Sequence, residues 1–204
     1  VNSTRVAVDN QRLHRDDRRR VLLDATAALV ISGDIESVTM DAVAEQAGVS
    51  RPLVYKHFAN RAELLEELYA RESAALHEEM ATEVGAARTL EEMFRALVRG
   101  SLRAQASRGA TFAALRAGGG LSDAGRSAQR VRDRNTLRFF VREAMREYDM
   151  AETQARAAVS ILLGAISSVL NAFRARPTRE HAELLEETYV ALVTAGLKGL
   201  ASEA

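Results

Sequence analysis

Ser50, Arg51, Pro52, Tyr55, Lys56 and His57 bring hydroxyl, guanidinium, phenol, ammonium and imidazole groups into eight consecutive positions, and no acid occurs from residue 50 to residue 62. The polar groups in this set donate hydrogen bonds and carry or accept positive charge. The chemistry open to them is therefore recognition of phosphate oxygens and base edges, which a neighbouring carboxylate would oppose. The 204-residue chain has 28 basic and 28 acidic residues and no net charge, so the missing acids are a local feature.

Two short helices must position these side chains. Thr39 can cap the first, which turns Val43, Ala44 and Ala47 inward, and Gly48 follows where a helix ends in a left-handed turn. Ser50 caps the next helix at once, and Pro52 falls in its first turn, where no intrahelical donor is needed. The spacing predicts a helix-turn-helix from Thr39 to Phe58, with Val49, Val54 and Phe58 packed and the polar set presented. A capping box at Asn60 and Glu63 opens a fourth, longer helix, in which each of the two side chains satisfies the other residue's free amide.

The stretch VTMDAVAEQAGVSRPLVYKHFANRAELL resembles the DNA-binding segment of the tetracycline-repressor-like (TetR) family of transcriptional regulators, over residues 16 to 70. The resemblance implies contacts to phosphates from Thr39, Tyr55, His57 and Arg61, the last standing where the family usually has a lysine. It implies base-edge positions for Ser50, Arg51, Pro52 and Lys56, with Arg51 suited to bidentate contact with guanine. It also implies an all-α homodimer that binds a near-palindromic operator, with a small-molecule effector releasing a repressor. An architectural DNA-binding protein without effector and a helical enzyme are the alternatives. No Ser-His-Asp, paired-carboxylate or HExxH arrangement occurs, so no catalytic residue is assigned. With no Cys and no second His at ligand spacing, no metal or cofactor is expected either.

The expected organisation is an arm over residues 1–14, a three-helix DNA-binding domain over 15–60, and a larger helical domain over 61–204 for effector binding and dimerisation. Two prolines, twelve glycines and abundant Ala, Leu, Glu and Arg favour helices throughout. Helices are expected at 89–106 and 109–117, then from about Ser122 to Tyr148 after Gly118 to Gly120, then at 151–175 and 178–202. Apolar runs of a few residues are too short to span a bilayer and no signal-peptide core opens the chain, which leads to a cytoplasmic protein as the expectation.

In the C-terminal half, effector-pocket candidates are Tyr69, Met93, Phe94, Leu97, Phe112, Leu115, Phe140, Met145 and Tyr148, a mix of flat and adaptable side chains suited to an apolar or aromatic ligand. Arginines recur every four residues from Arg126 to Arg146. Projecting the helix's apolar stripe backward turns Arg126, Arg130 and Arg134 inward, either as an anchor for an anionic effector or as partners of fourth-helix carboxylates. His77, beside Glu78 and Glu79, reads as part of a solvated face. The last two helices are apolar on two sides. Ile161, Gly164, Ala165, Ser168 and Ala172 on one, with Leu185, Tyr189, Leu192 and Gly196 on the other, are candidates for a four-helix dimer interface.

Overall fold

A computed structural model describes the backbone of residues 2–32, 35–117 and 123–202, and the side chains of 16–32, 35–107, 109, 112 and 125–201. Among the described residues the chain is all-α. The helices are α1 (Asn2–Ser32), α2 (Met40–Gln46), α3 (Arg51–His57), α4 (Arg61–Ala86), α5 (Leu90–Ala117), α6 (Asp123–Tyr148), α7 (Glu152–Ala175) and α8 (Arg179–Ser202), with a 3-10 turn at Ile35–Ser37. They form two compact units: Val1–Ser73 with Thr111–Ser122, and Ala74–Ala110 with Asp123–Ala204. The first unit therefore takes in the beginning of α4, beyond the boundary expected after residue 60.

The first unit closes around Leu22, Val38, Val43, Val54, Phe58, Leu64, Leu65 and Leu68, each at most 1% exposed. Thr26 is buried beside them and its hydroxyl donates to the Leu22 carbonyl at 2.7 Å, so the polar group costs little. The expected N-terminal arm is instead helical from Asn2. The sequence holds no Gly or Pro before residue 33 to interrupt it.

The second unit packs Leu90, Phe94 and Val98 of α5, Phe140, Val141 and Ala144 of α6, Val159 and Phe173 of α7, and Tyr189, Val193 and Leu197 of α8. Phe94 meets Phe140 at 4.7 Å and Tyr189 at 6.2 Å between ring centres, so one aromatic ring ties three helices. The two helices expected at 89–106 and 109–117 are one, α5. A single glycine, Gly109, costs a helix only about 1 kcal/mol, too little to end one flanked by good helix formers. Gly118 to Gly120 lie outside the described residues.

One helix combines length and apolar composition in a way that the core helices of soluble proteins share with membrane spans. Glu152–Ala175 is long and apolar enough to cross a bilayer by length and composition alone. Its apolar residues wrap two faces, so the average is high although no single run is long. Only 11% of that span is buried within this chain.

Candidate nucleic-acid interface and ligand cavity

The helix-turn-helix is assembled by local chemistry. Thr39 Oγ1 accepts from the Ala42 amide at 3.1 Å and starts α2. Gly48 takes φ +65°, which lets the Val49 amide turn back to the Ala44 carbonyl at 2.9 Å. Ser50 occupies the cap position of α3 without bonding the helix through its hydroxyl, and Pro52 sits in the first turn. At the start of α4 the Glu63 amide donates to Asn60 Oδ1 at 2.9 Å, while Glu63 Oε2 accepts from Ala59 at 2.6 Å. The capping box thus closes one residue earlier than the reciprocal Asn60–Glu63 pairing expected from sequence.

Val54 and Phe58 anchor α3, both fully buried. Ser50, Arg51, Pro52, Tyr55 and Lys56 are exposed on its other side, as is Thr39 at the start of α2. Together they make a continuous polar and cationic face. Arg51 is held over it: its Nε lies 3.0 Å from Asp41 Oδ1 and its guanidinium carbon 5.5 Å from the Tyr55 ring centre. Hydrogen bonding with Tyr55, and then the charge of Asp41, raise the Arg51 pKa above its ordinary value.

Two residues expected to touch phosphates are placed otherwise. His57 is 7% exposed, because it follows Val54 by three residues and shares its inward face. Arg61 is half-buried, with Nε donating to the Val38 carbonyl at 2.6 Å and Nη2 to the Ile35 carbonyl at 2.5 Å. Those carbonyls lie in and after a short turn that offers them few backbone partners, and a guanidinium fork spans both. Arg61 therefore fixes the loop that leads into Thr39.

In the second unit a cavity of about 310 Å³ is lined by His77, Met80, Ala81, Val84 and Gly85 of α4, Leu97 of α5, and Asn135, Thr136, Phe139 and Phe140 of α6. Of the pocket candidates whose side chains are described, Leu97 and Phe140 line it. Met93 and Phe94 are core, Met145 is exposed and Tyr148 is half-buried. Tyr69 belongs to the first unit, where its ring meets Phe112 edge-on at 5.6 Å. The Leu115 side chain is outside the described residues.

Arg126, Arg130 and Arg134 are all exposed, contrary to the inward turn expected of them. The buried stripe of α6 is Phe140, Val141 and Ala144, with Leu137 half-buried. It has no apolar continuation among the arginines, and an unpaired guanidinium is too costly to bury in its place. His77, read from sequence as part of a solvated face, is exposed yet borders the cavity. Met80 and Val84, one turn apart on α4, are the signal that could have marked that wall.

A larger cavity of about 670 Å³ lies along α5 and α8, with Arg95, Arg99, Arg103 and Arg179 facing Glu183, Glu186 and Glu187. Its cations are already matched. Arg99 Nη2 is 2.6 Å from Glu186, Arg179 Nε is 2.8 Å from Glu183, Arg95 reaches Glu91 at 3.3 Å, and Arg103 pairs with Glu83.

Ile161, Gly164 and Ser168 of α7 are exposed, as are Leu192 and Gly196 of α8, while Ala165, Ala172 and Leu185 are half-buried. Tyr189 differs from its expected place at an interface. It is turned into the unit's own core, with its hydroxyl donating to the Leu162 carbonyl at 2.9 Å. The exposed side of α8 carries Leu184, Thr188, Ala191 and Ala195 next to Leu192.

The chain is similar to known proteins in sequence and in fold. The family model described as bacterial regulatory proteins of the tetR family matches residues 22–68. The transcriptional activator FasR of Mycolicibacterium smegmatis is 42% identical over 53 residues, 26% of this chain and 24% of its own. The transcriptional repressor KstR of Rhodococcus jostii is 45% identical over 56 residues, 28% of this chain and 26% of its own. The matches thus span about a quarter of those relatives. In fold, the chain is similar to a TetR/AcrR-family regulator from Thermobifida fusca, with TM-score 0.68, 18% identity and coverage of 87% of this chain and 96% of that one. It is also similar to FadR of Bacillus subtilis in complex with stearoyl-CoA, with TM-score 0.64, 17% identity and coverage of 87% and 98%. Residues 22–68, which hold the Thr39 cap, the Gly48 turn and the buried Phe58, are thus similar in sequence to the tetR family of bacterial regulatory proteins, and the chain shares the fold of TetR/AcrR-family regulators.

Proposed function

We propose that the protein is a ligand-responsive transcriptional regulator, acting as a repressor, that binds a near-palindromic operator in the cytoplasm as a homodimer. The observation that carries this reading is the acid-free face of Ser50, Arg51, Pro52, Tyr55 and Lys56, exposed on a short helix whose opposite side is locked by Val54 and Phe58. Such a helix fits a major groove, with Arg51 and Lys56 reaching base edges and Thr39 and Tyr55 reaching backbone phosphates. His57 and Arg61 support the face from behind.

The second copy is held through the exposed apolar faces of α7 and α8, around Ile161, Leu184 and Leu192, which are 71%, 58% and 66% exposed in one chain. An exposed apolar area of this kind on two adjacent helices is the usual mark of an association surface. A homodimer offers one α3 to each of two half-sites, whose centres lie about one DNA turn, roughly 34 Å, apart.

The effector occupies the cavity between His77, Leu97 and Phe139. Among the described residues no Arg, Lys, Asp or Glu lines it, which favours an uncharged, mainly apolar molecule with a hydrogen-bonding group directed at His77, Asn135 or Thr136. This replaces the anionic effector considered from sequence, since the arginines that suggested it are in solvent. Because α4 carries both the cavity wall at Met80 and Val84 and the loop-fixing Arg61, a ligand that shifts α4 alters the spacing of the two reading helices.

Selection of duplexes from a random pool tests the DNA-binding half of the proposal. The expected product is a pseudo-palindrome bound by two copies, with affinity that falls steeply with salt. A panel of neutral apolar compounds tests the other half: a compound that raises the melting temperature should also release the selected duplex, and Phe139→Trp, which fills the cavity, should abolish both effects. Release unaffected by Phe139→Trp would contradict the site assignment.

A further inference from the structure

Asp41 is an acid beside a face from which acids are otherwise missing. It stands in the first turn of α2, with its side chain 61% exposed, and pairs with Arg51 Nε at 3.0 Å. The Arg51 side chain is 59% exposed, and a pair so open to water contributes little to stability. Packing of α2 against α3 is already secured by Val43, Ala44 and Val54. The contact therefore calls for an explanation other than holding the two helices together.

The geometry supplies one. A guanidinium offers donors along two edges, Nε with one terminal nitrogen and the two terminal nitrogens together. Asp41 takes hold at Nε, and Tyr55 holds the guanidinium from a second side, by a hydrogen bond and with its ring centre 5.5 Å from the guanidinium carbon. The edge formed by the two terminal nitrogens is the one Asp41 leaves to a base, and it matches O6 and N7 of guanine, which would displace the Tyr55 phenol on docking. Fixing a long side chain before docking also reduces the entropy lost on binding.

Resting on the reading of α3 as the DNA-contacting helix, we infer that Asp41 is a specificity-positioning residue: it holds Arg51 so that its terminal nitrogens face one guanine, while its own charge repels phosphates of ill-fitting sequences. The acid therefore weakens binding to DNA in general and sharpens the choice at one base pair.

The test uses the full chain and the duplex it selects from a random pool. For each protein, the affinity ratio is measured between that duplex and versions carrying 7-deazaguanine or adenine at each guanine in turn. At the guanine whose replacement is silent in Arg51→Ala, Asp41→Ala should lower the ratio roughly tenfold and tighten binding to scrambled duplex. Asp41→Asn, which keeps an acceptor for Nε, should retain most of the ratio. In an Arg51→Ala background, Asp41→Ala should leave the ratio unchanged. A role confined to the start of α2 would lower the melting temperature of Asp41→Ala without moving the ratio, and that result overturns the inference. It is equally overturned if the effects of the two substitutions on the ratio simply add, or if Arg51→Ala alters no guanine preference. A protein that selects no duplex at all would instead overturn the reading of the helix itself.

Discussion

The guanidinium of Arg19 lies 4.4 Å from the centre of the Phe58 ring. From there it donates through Nη1 to the His57 carbonyl at 2.6 Å and through Nε to Glu67 at 3.0 Å. One side chain of α1 thus covers the ring that locks α3, satisfies the end of that helix and holds α4. The hydrogen bond to Glu67 raises the Arg19 pKa, against the opposing effect of burial.

Replacing Arg19 by Met keeps the stem and removes the donors. Unfolding in urea should show a loss of about 1–3 kcal/mol, with Arg19→Lys recovering only part because an ammonium cannot bridge two acceptors across a ring. Wild-type stability in Arg19→Met would show that the three contacts are not formed together.

Gly48 makes a cleaner backbone test. A Cβ added there meets nothing within 4 Å, so the only obstacle to a side chain is φ +65°. Gly48→Ala should destabilise the protein by about 1–2 kcal/mol, and Gly48→Asn by less, because Asn tolerates the left-handed region. A neutral Gly48→Ala would mean that the turn is free to change shape.

Tyr189 links stability to alkaline pH. Burial pushes its phenol well above the ordinary value, so the folded state favours the neutral form. The contribution is complete below the unfolded pKa of about 10 and is lost as pH rises from there through the folded value. At neutral pH, Tyr189→Phe should cost about 1 kcal/mol for the hydrogen bond to Leu162. Denaturant melts should show that difference shrinking above about pH 10; a gap that widens there would have the opposite sign to the one argued.

The exposed faces of α7 and α8 predict self-association. Ile161→Arg combined with Leu192→Glu should convert a dimer to a folded monomer in sedimentation, with unchanged helical content by circular dichroism. A dimer that survives both substitutions would place the association surface elsewhere, and partition of the wild type into lipid vesicles would favour a bilayer as the occupant of α7.

The helix-turn-helix was legible in the sequence because every decision in it is made within a few residues. Thr39 meets Ala42, Gly48 turns Val49 back to Ala44, and Asn60 meets Glu63, all without knowledge of the rest of the chain. His57 and Arg61 were misread because their places depend on distant groups: the core around Phe58 in one case, and the carbonyls of Ile35 and Val38 in the other. The arginines of α6 failed for a related reason. Extending an apolar stripe backward assumes a packing partner along the whole helix, and the buried stripe ends near Leu137. The cavity was only half visible, since its walls come from three helices and its α4 residues were hidden among acids. On α8, Leu192 and Gly196 are exposed while Tyr189, from the same set, is buried in the unit's own core, because periodicity does not tell which edge of a broad apolar stripe packs within the chain.

The central claim is that the exposed side of α3 reads duplex sequence. Its most direct test is the ratio of affinities for the selected palindrome and for a scrambled duplex at one fixed, physiological salt concentration. The wild type should show a ratio of at least about 10³, and the triple variant Arg51→Ala, Tyr55→Ala, Lys56→Ala should fall toward unity while keeping its fold. Equal affinity of the wild type for both duplexes, or a triple variant that discriminates as well as the wild type, would contradict it.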